Sequence, residues 1–136
     1  MSGYAVDTNI ISFILRKDRK LQEKVYREAN EGDGVIIPPI VYYEIKRGLI
    51  DYNSVEKLTK FEQLCSMLGV DKMDADTLDK AANIYVSLKK KGRLIGDSDI
   101  LIAATCLAHD YTLITDNTKH FEQVEGLKIV NWVERQ

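Results

Sequence analysis

Five acidic residues that lie far apart in the chain have types and positions suited to metal-assisted chemistry. Asp7 and Asp116 each follow a short apolar segment that predicts a β-strand. Asp97 and Asp99 precede an apolar helical stretch, and Glu44 lies near the start of another predicted helix. Loops at the carboxyl ends of parallel strands meet at one edge of a sheet, so we expect all five carboxylates to converge there.

Several carboxylates in one crevice repel one another, and a divalent cation is the natural compensation. Hard oxygen ligands favour Mg²⁺ or Mn²⁺, and such an ion can activate a water molecule and polarise a phosphodiester. His109 and His120 lie in no zinc-ligand pattern. Cys65 and Cys106 lie in apolar helical stretches, where we expect both to be buried and reduced.

Predicted strands alternate with predicted helices along the chain. This order indicates an α/β fold, a single three-layer domain over residues 1–136 with a central, mainly parallel sheet of four to five strands flanked by helices. The predicted strands cover residues 4–6, 35–37, 68–70, 112–114 and 127–130, and the main helices cover 10–14, 21–31, 40–50, 53–65, 74–88 and 100–107.

The 136-residue chain carries a formal net charge of −2, so a uniformly basic nucleic-acid-binding surface is excluded. Its cations are nevertheless clustered at 16–20, 46–47 and 89–93. Each cluster is explained equally well by solvated helix ends. No apolar run approaches the roughly 20 residues that span a bilayer, and we expect a cytoplasmic protein.

Each acidic residue taken alone also has a structural explanation. Asp7 could cap the first helix, and Asp97 or Ser98 could cap the apolar helix that follows them. Glu44 could face solvent, and Asp116 could belong to a turn. Only the combination points to catalysis.

The sequence resembles the PIN-domain family, in particular VapC-type toxins, from end to end. The resemblance rests on AVDTNIIS at 5–12, IVYYEIKRG at 40–48, GRLIGDSDILIAATCLAHDYTLITDN at 92–117, the following HF, and the closing GLKIVNW. It implies a Mg²⁺- or Mn²⁺-dependent endoribonuclease. It also implies a homodimer and a VapB-like antitoxin that often places an arginine among the acids.

The family's first three acids fall on Asp7, Glu44 and Asp99. Asp97 is an additional acid and a further candidate metal ligand. The family's fourth acid falls on Asn117, with Asp116 one residue earlier, so either Asp116 substitutes for it or Asn117 is a neutral ligand and Asp97 supplies the charge. Polar residues placed to hydrogen-bond the acids or metal waters are Thr8, Asn9, Ser98, Thr115 and Asn117.

RNA approaching an acidic site needs basic groups at the rim, and the candidates are Arg93 and Lys46. Receiver-like and haloacid-dehalogenase-like phosphotransfer domains are disfavoured because Thr8 and Asn9, rather than a second acid, follow Asp7. Two alternatives stay open. One is a PIN-like module that binds RNA or a partner without cleaving, and the other is an RNA-processing nuclease outside a toxin–antitoxin pair.

Overall fold

A computed structural model describes residues 3–135, which form an α/β domain with seven helices and four strands. In chain order the elements are β1 (Tyr4–Val6), α1 (Thr8–Leu15), α2 (Arg19–Glu31), β2 (Val35–Ile36), α3 (Pro39–Asp51), α4 (Val55–Leu68), α5 (Ala75–Lys90), α6 (Asp97–His109), β3 (Thr112–Ile114), α7 (Thr118–Phe121) and β4 (Ile129–Val130).

The four strands form one parallel sheet in the order β2-β1-β3-β4. Residues of the two central strands, such as Val6 and Leu113, are completely buried, as expected for a sheet covered on both faces. The predicted α/β class with a parallel sheet is therefore confirmed. The strand predicted at 68–70 is reduced to a single bridge between Val70 and Ile37, and the last strand is limited to β4.

Local chemistry explains where several helices begin. Pro39 occupies the first position of α3, where its missing N–H costs no hydrogen bond. The Asp74 carboxylate accepts a hydrogen bond from the Thr77 backbone N–H and caps α5, as predicted. Helix α6 begins earlier than its apolar pattern indicated, and its N-cap is Gly96. Asp97 and Ser98 therefore do not cap it.

Helix α6 lies in the middle of the fold, packed against α5, α3 and β3. Its consecutive buried residues, including Ile102 and Cys106, agree with a helix that is apolar nearly all round.

Both cysteines are free thiols, but Cys65 is only half-buried, so the expectation of full burial was wrong for it. Within residues 3–135, no helix combines the length and the hydrophobicity needed to cross a membrane.

The central position of α6 gives a stability prediction. Ile102 is 1% exposed, and Ile102→Ala would leave a cavity between helix and sheet. We expect the free energy of unfolding to fall by about 2–5 kcal/mol, measured by urea denaturation. The control Val86→Ala, at a residue that is 48% exposed, should change it by no more than about 0.5 kcal/mol.

Candidate active site

Asp7 is the most buried carboxylate at the carboxyl edge of the sheet, with 5% of its surface exposed. It directly follows β1 and caps α1, where its Oδ1 accepts a hydrogen bond from the Thr8 backbone N–H at 2.7 Å. Its Oδ2 accepts one from the Thr115 hydroxyl at 2.7 Å, and one from the Asn9 amide at 3.3 Å. The capping role and a role in chemistry are therefore compatible for Asp7.

Burial raises the pKa of Asp7, and the nearby carboxylates Asp99 and Glu44 raise it further. The hydrogen bonds from Thr115 and Thr8 act in the opposite direction, because they stabilise the ionised form. The net direction is upward. The fold therefore holds a carboxylate where ionisation is unfavourable unless a cation is present.

Three acids from distant parts of the chain line one open crevice of about 550 Å³. Asp7 lies at its buried end, Glu44 comes from α3, and Asp99 comes from the first turn of α6. The Thr8 hydroxyl connects two of the elements by donating to Glu44 Oε1 at 3.3 Å. The remaining lining residues are Thr8, Asn9, Ser12, Phe13, Arg16, Ser98 and Asn117.

The other two predicted acids do not line this crevice. Asp97 is exposed at the first position of α6, and two residues correspond to about 200° around a helix, so it faces away from Asp99. The Asp116 side chain is held by Asn131 and Arg135. The Arg135 guanidinium is the main reason why the pKa of Asp116 is lowered.

Of the polar residues predicted to support the acids, Thr8, Asn9 and Thr115 hydrogen-bond Asp7, whereas Ser98 and Asn117 line the crevice. Asn9 donates to Asp7 and accepts a hydrogen bond from the Asp116 backbone N–H at 3.2 Å. Thr115, which is fully buried, accepts one from the Asn117 backbone N–H at 2.9 Å while its hydroxyl donates to Asp7. The loops after β1 and β3 are thus connected through the Asp7 carboxylate.

Comparison with known proteins agrees with this architecture. A profile of the PIN domain matches residues 4–127. The chain belongs to the PIN-domain family. Ribonuclease VapC1 from Methanocaldococcus jannaschii is 33% identical over 130 residues, which cover 94% of this chain and 87% of that protein. Ribonuclease VapC2 from Rickettsia felis is 29% identical, with coverage of 95% and 97%.

Solved structures share the PIN fold of this chain. In a crystal structure of VapBC2 from Rickettsia felis bound to a promoter DNA fragment, the similar chain has a TM-score of 0.89 and 26% identity, with coverage of 96% of this chain and 99% of that one. VapBC-1 from nontypeable Haemophilus influenzae gives a TM-score of 0.84 and 26% identity, with coverage of 97% and 99%. The family assignment predicted from the motifs is confirmed.

Two residues of this PIN domain's site were not among the sequence candidates. His120 contacts Asp99, with 2.7 Å between Nε2 and Oδ2. His120 belongs to the HF pair of the resemblance, but the contact itself depends on how α7 packs beside α6. Arg16 lines the crevice at the end of α1, and its spacing was an available signal, because residues 8, 12 and 16 lie on one helical face.

The two predicted RNA-contact residues lie elsewhere. Arg93 is exposed between α5 and α6 and does not line the crevice. The Lys46 ammonium donates to the Tyr42 hydroxyl at 2.9 Å and lies 3.7 Å from Glu62. The Tyr42 hydroxyl is the main reason why the pKa of Lys46 is raised. Lys46 therefore faces α4, on a different side of α3 from Glu44.

The crevice chemistry fits a hard divalent cation. Asp7, Glu44 and Asp99 supply carboxylate oxygens, and the raised pKa of Asp7 is the property that a bound cation would reverse. Among the described residues 3–135, no three His, Cys, Asp or Glu side chains converge closely enough to ligate one ion together. Mg²⁺ accommodates this spacing because it keeps several waters and uses one or two carboxylates directly.

The direction of the Asp7 pKa shift can be tested through the pH dependence of stability in the absence of a metal ion. A raised folded-state pKa means that the stability contributed by Asp7 is present below its unfolded pKa and is lost as pH rises through its folded pKa. In EDTA, Asp7→Asn should therefore gain stability relative to wild type as the pH rises above about 4, the ordinary pKa of an aspartate, measured by urea unfolding. The exposed Asp79→Asn is the matched control. A difference between Asp7→Asn and wild type that did not change with pH would contradict the pKa direction.

Proposed function

We propose that this PIN domain is a metal-dependent endoribonuclease and the toxin of a type II toxin–antitoxin pair. The observation that carries the proposal is the convergence of Asp7, Glu44 and Asp99 on one crevice. Relatives named Ribonuclease VapC1 and VapC2, similar over nearly the whole chain, support the same activity. The substrate is RNA, and the bond that is hydrolysed is a phosphodiester.

In this proposal Asp7 and Asp99 would hold the cation, and Glu44 would orient a water molecule. A bound Mg²⁺ or Mn²⁺ ion would lower the pKa of a water molecule and neutralise charge that develops on the phosphate. The hydrogen bonds from Thr115 and Thr8 favour the ionised form of Asp7 and orient its carboxylate. His120 restricts the rotation of Asp99.

The partner assignment rests on the similar solved structures, which are VapBC complexes. We propose a VapB-like antitoxin for this chain and a homodimeric toxin that acts in the cytoplasm. An arginine from such an antitoxin would suit the crevice, because a guanidinium pairs with carboxylates where a cation would otherwise bind.

Cleavage of RNA is the direct test. With Mg²⁺, the wild type should cleave a mixed pool of cellular RNAs, and EDTA should stop the reaction. Asp7→Asn should reduce the rate by at least about 100-fold, since each 1.4 kcal/mol of lost transition-state stabilisation costs a factor of ten. The exposed Asp79→Asn should cleave like wild type. Fragments would be resolved by gel electrophoresis and sequenced.

Two outcomes would replace the proposal. Metal-independent RNA binding without cleavage of any RNA in the pool would favour a binding module. Cleavage without growth arrest on expression, and with no antitoxin gene beside this one, would favour an RNA-processing nuclease. Growth arrest that Asp7→Asn abolishes supports the toxin assignment.

The fourth-acid question has a separate test. Asp97 is exposed and Asp116 is held by Arg135, so neither side chain reaches the crevice. Asp97→Asn and Asp116→Asn should each keep cleavage within about three-fold of wild type, whereas Asp99→Asn should lose at least about 100-fold. A large loss in either of the first two variants would show that a fourth carboxylate is required.

A further inference from the structure

A band of cations extends from the acidic crevice over the junction of α1, α2, α3 and α4. Arg16 lines the catalytic crevice and also a neighbouring groove of about 230 Å³ that contains Lys57 and Tyr52. A third, adjoining hollow of about 370 Å³ is lined by Lys17, Arg19 and Lys60. We define the basic track as Arg16, Lys17, Arg19, Tyr52, Lys57 and Lys60.

The crevice and the first groove share lining residues, and the third hollow is lined by residues that are their close neighbours in the chain. Ser12, Arg16 and Glu44 line both the crevice and the first groove. The first groove and the third hollow are neighbours along α4, because Lys57 of the groove and Lys60 of the hollow are one turn apart on that helix. On the opposite side, Arg16 of the groove and Lys17 of the third hollow are adjacent in the chain. The lining charge changes sign along this path, from three carboxylates and one cation in the crevice to three cations and one carboxylate in the last hollow.

The cations of the track are not used in ion pairs. Among residues 3–135, none of its five cations forms a salt bridge, although Lys20, Lys46 and Lys128 do. Lys57 lies in the first turn of α4, where the helix dipole disfavours a positive charge. Lys17 has a left-handed backbone (φ 71°), which costs a lysine about 1 kcal/mol that a glycine would avoid. Helix-end electrostatics therefore does not explain Lys57, and backbone preference does not explain a lysine at position 17.

Tyr52 adds a second kind of contact to the track. It follows α3, and 85% of its surface is exposed beside Lys57 and Arg16. Proteins bind single-stranded nucleic acid by combining a positive groove with aromatic side chains on which bases stack. An acidic polypeptide would use the same cations and is the competing occupant of the track.

We propose that the basic track holds the single-stranded RNA that flanks the scissile phosphate on one side, with phosphates on the cations and one base stacked on Tyr52. This inference rests on the proposed ribonuclease function, because it specifies the substrate as unpaired RNA leading into the acidic crevice. The rim cations that the reaction needs are thus at the α1–α4 end rather than at Arg93 or Lys46.

The test measures binding without cleavage. Wild type and variants in EDTA are titrated into a fluorescent, unstructured RNA of about 16 nucleotides, at several salt concentrations. Lys57→Glu/Lys60→Glu should bind at least about ten-fold more weakly, with a salt slope smaller by about 1.4, or about 0.7 for each lost phosphate contact. The matched double reversal Lys72→Glu/Lys80→Glu, at exposed residues outside the track, should bind like wild type.

Further variants separate binding from folding. Lys17→Gly removes the conformational cost of a left-handed backbone at this position. The variant should therefore unfold no more easily than wild type, while it binds RNA more weakly. Tyr52→Ala should weaken binding by about five-fold or more, Tyr52→Phe should retain it, and Tyr85→Ala, on α5, should have no effect.

The inference is overturned if the track and control variants bind this RNA alike. It is also overturned if a glutamate-rich peptide, and not RNA, shows the dependence on Lys57 and Lys60. The failure of the proposed function is distinguishable, because binding along the track would persist while no RNA is cleaved in Mg²⁺.

Discussion

The hydrogen bond from the Thr115 hydroxyl to the Asp7 carboxylate holds the functional edge of the sheet together. It joins the residues that follow the two central strands, over a sequence separation of 108 residues. The parallel register of β1 and β3 places Val6 opposite Ile114, so the next residues along each strand are necessarily neighbours. The same carboxylate begins α1, and through Thr8 it is connected to Glu44 on α3. One buried acid therefore fixes the positions of two loops and two helices.

This arrangement stores electrostatic free energy at the site. Burial and the neighbouring acids raise the pKa of Asp7, so its ionisation in the absence of a cation costs stability. A bound cation would recover that cost, and its affinity would include the relief of repulsion among the carboxylates. The basic track complements the crevice from outside. In the proposed function its cations would attract the phosphate backbone over several ångströms, and the acids, once neutralised by a metal ion, would no longer repel it.

Sequence patterns predicted the parts of the structure that depend on local chemistry. The alternation of strands and helices, the start of α3 at Pro39 and the cap at Asp74 follow from propensities and turn residues. Parallel topology brings Asp7, Glu44 and Asp99 to one edge, because Asp7 follows a strand and the other two lie near the N-termini of helices that begin at that edge. The contacts of His120 and Asp116 could not be predicted. Each depends on which partner packing brings near, Asp99 on α6 in one case and Arg135 in the C-terminal segment in the other.

The loop after β3 determines which of the neighbouring residues Asp116 and Asn117 lines the crevice. Its backbone is fixed at two points, since Asp116 N–H donates to Asn9 and Asn117 N–H donates to Thr115. With the backbone held in this way, the Asp116 side chain is directed to Asn131 and Arg135, and the residue that lines the crevice is Asn117. A neutral amide there adds no further repulsion to Asp7, whose pKa is already raised by burial and then by two carboxylates. The charge left for a cation is that of three acids, which suits an ion that retains most of its water.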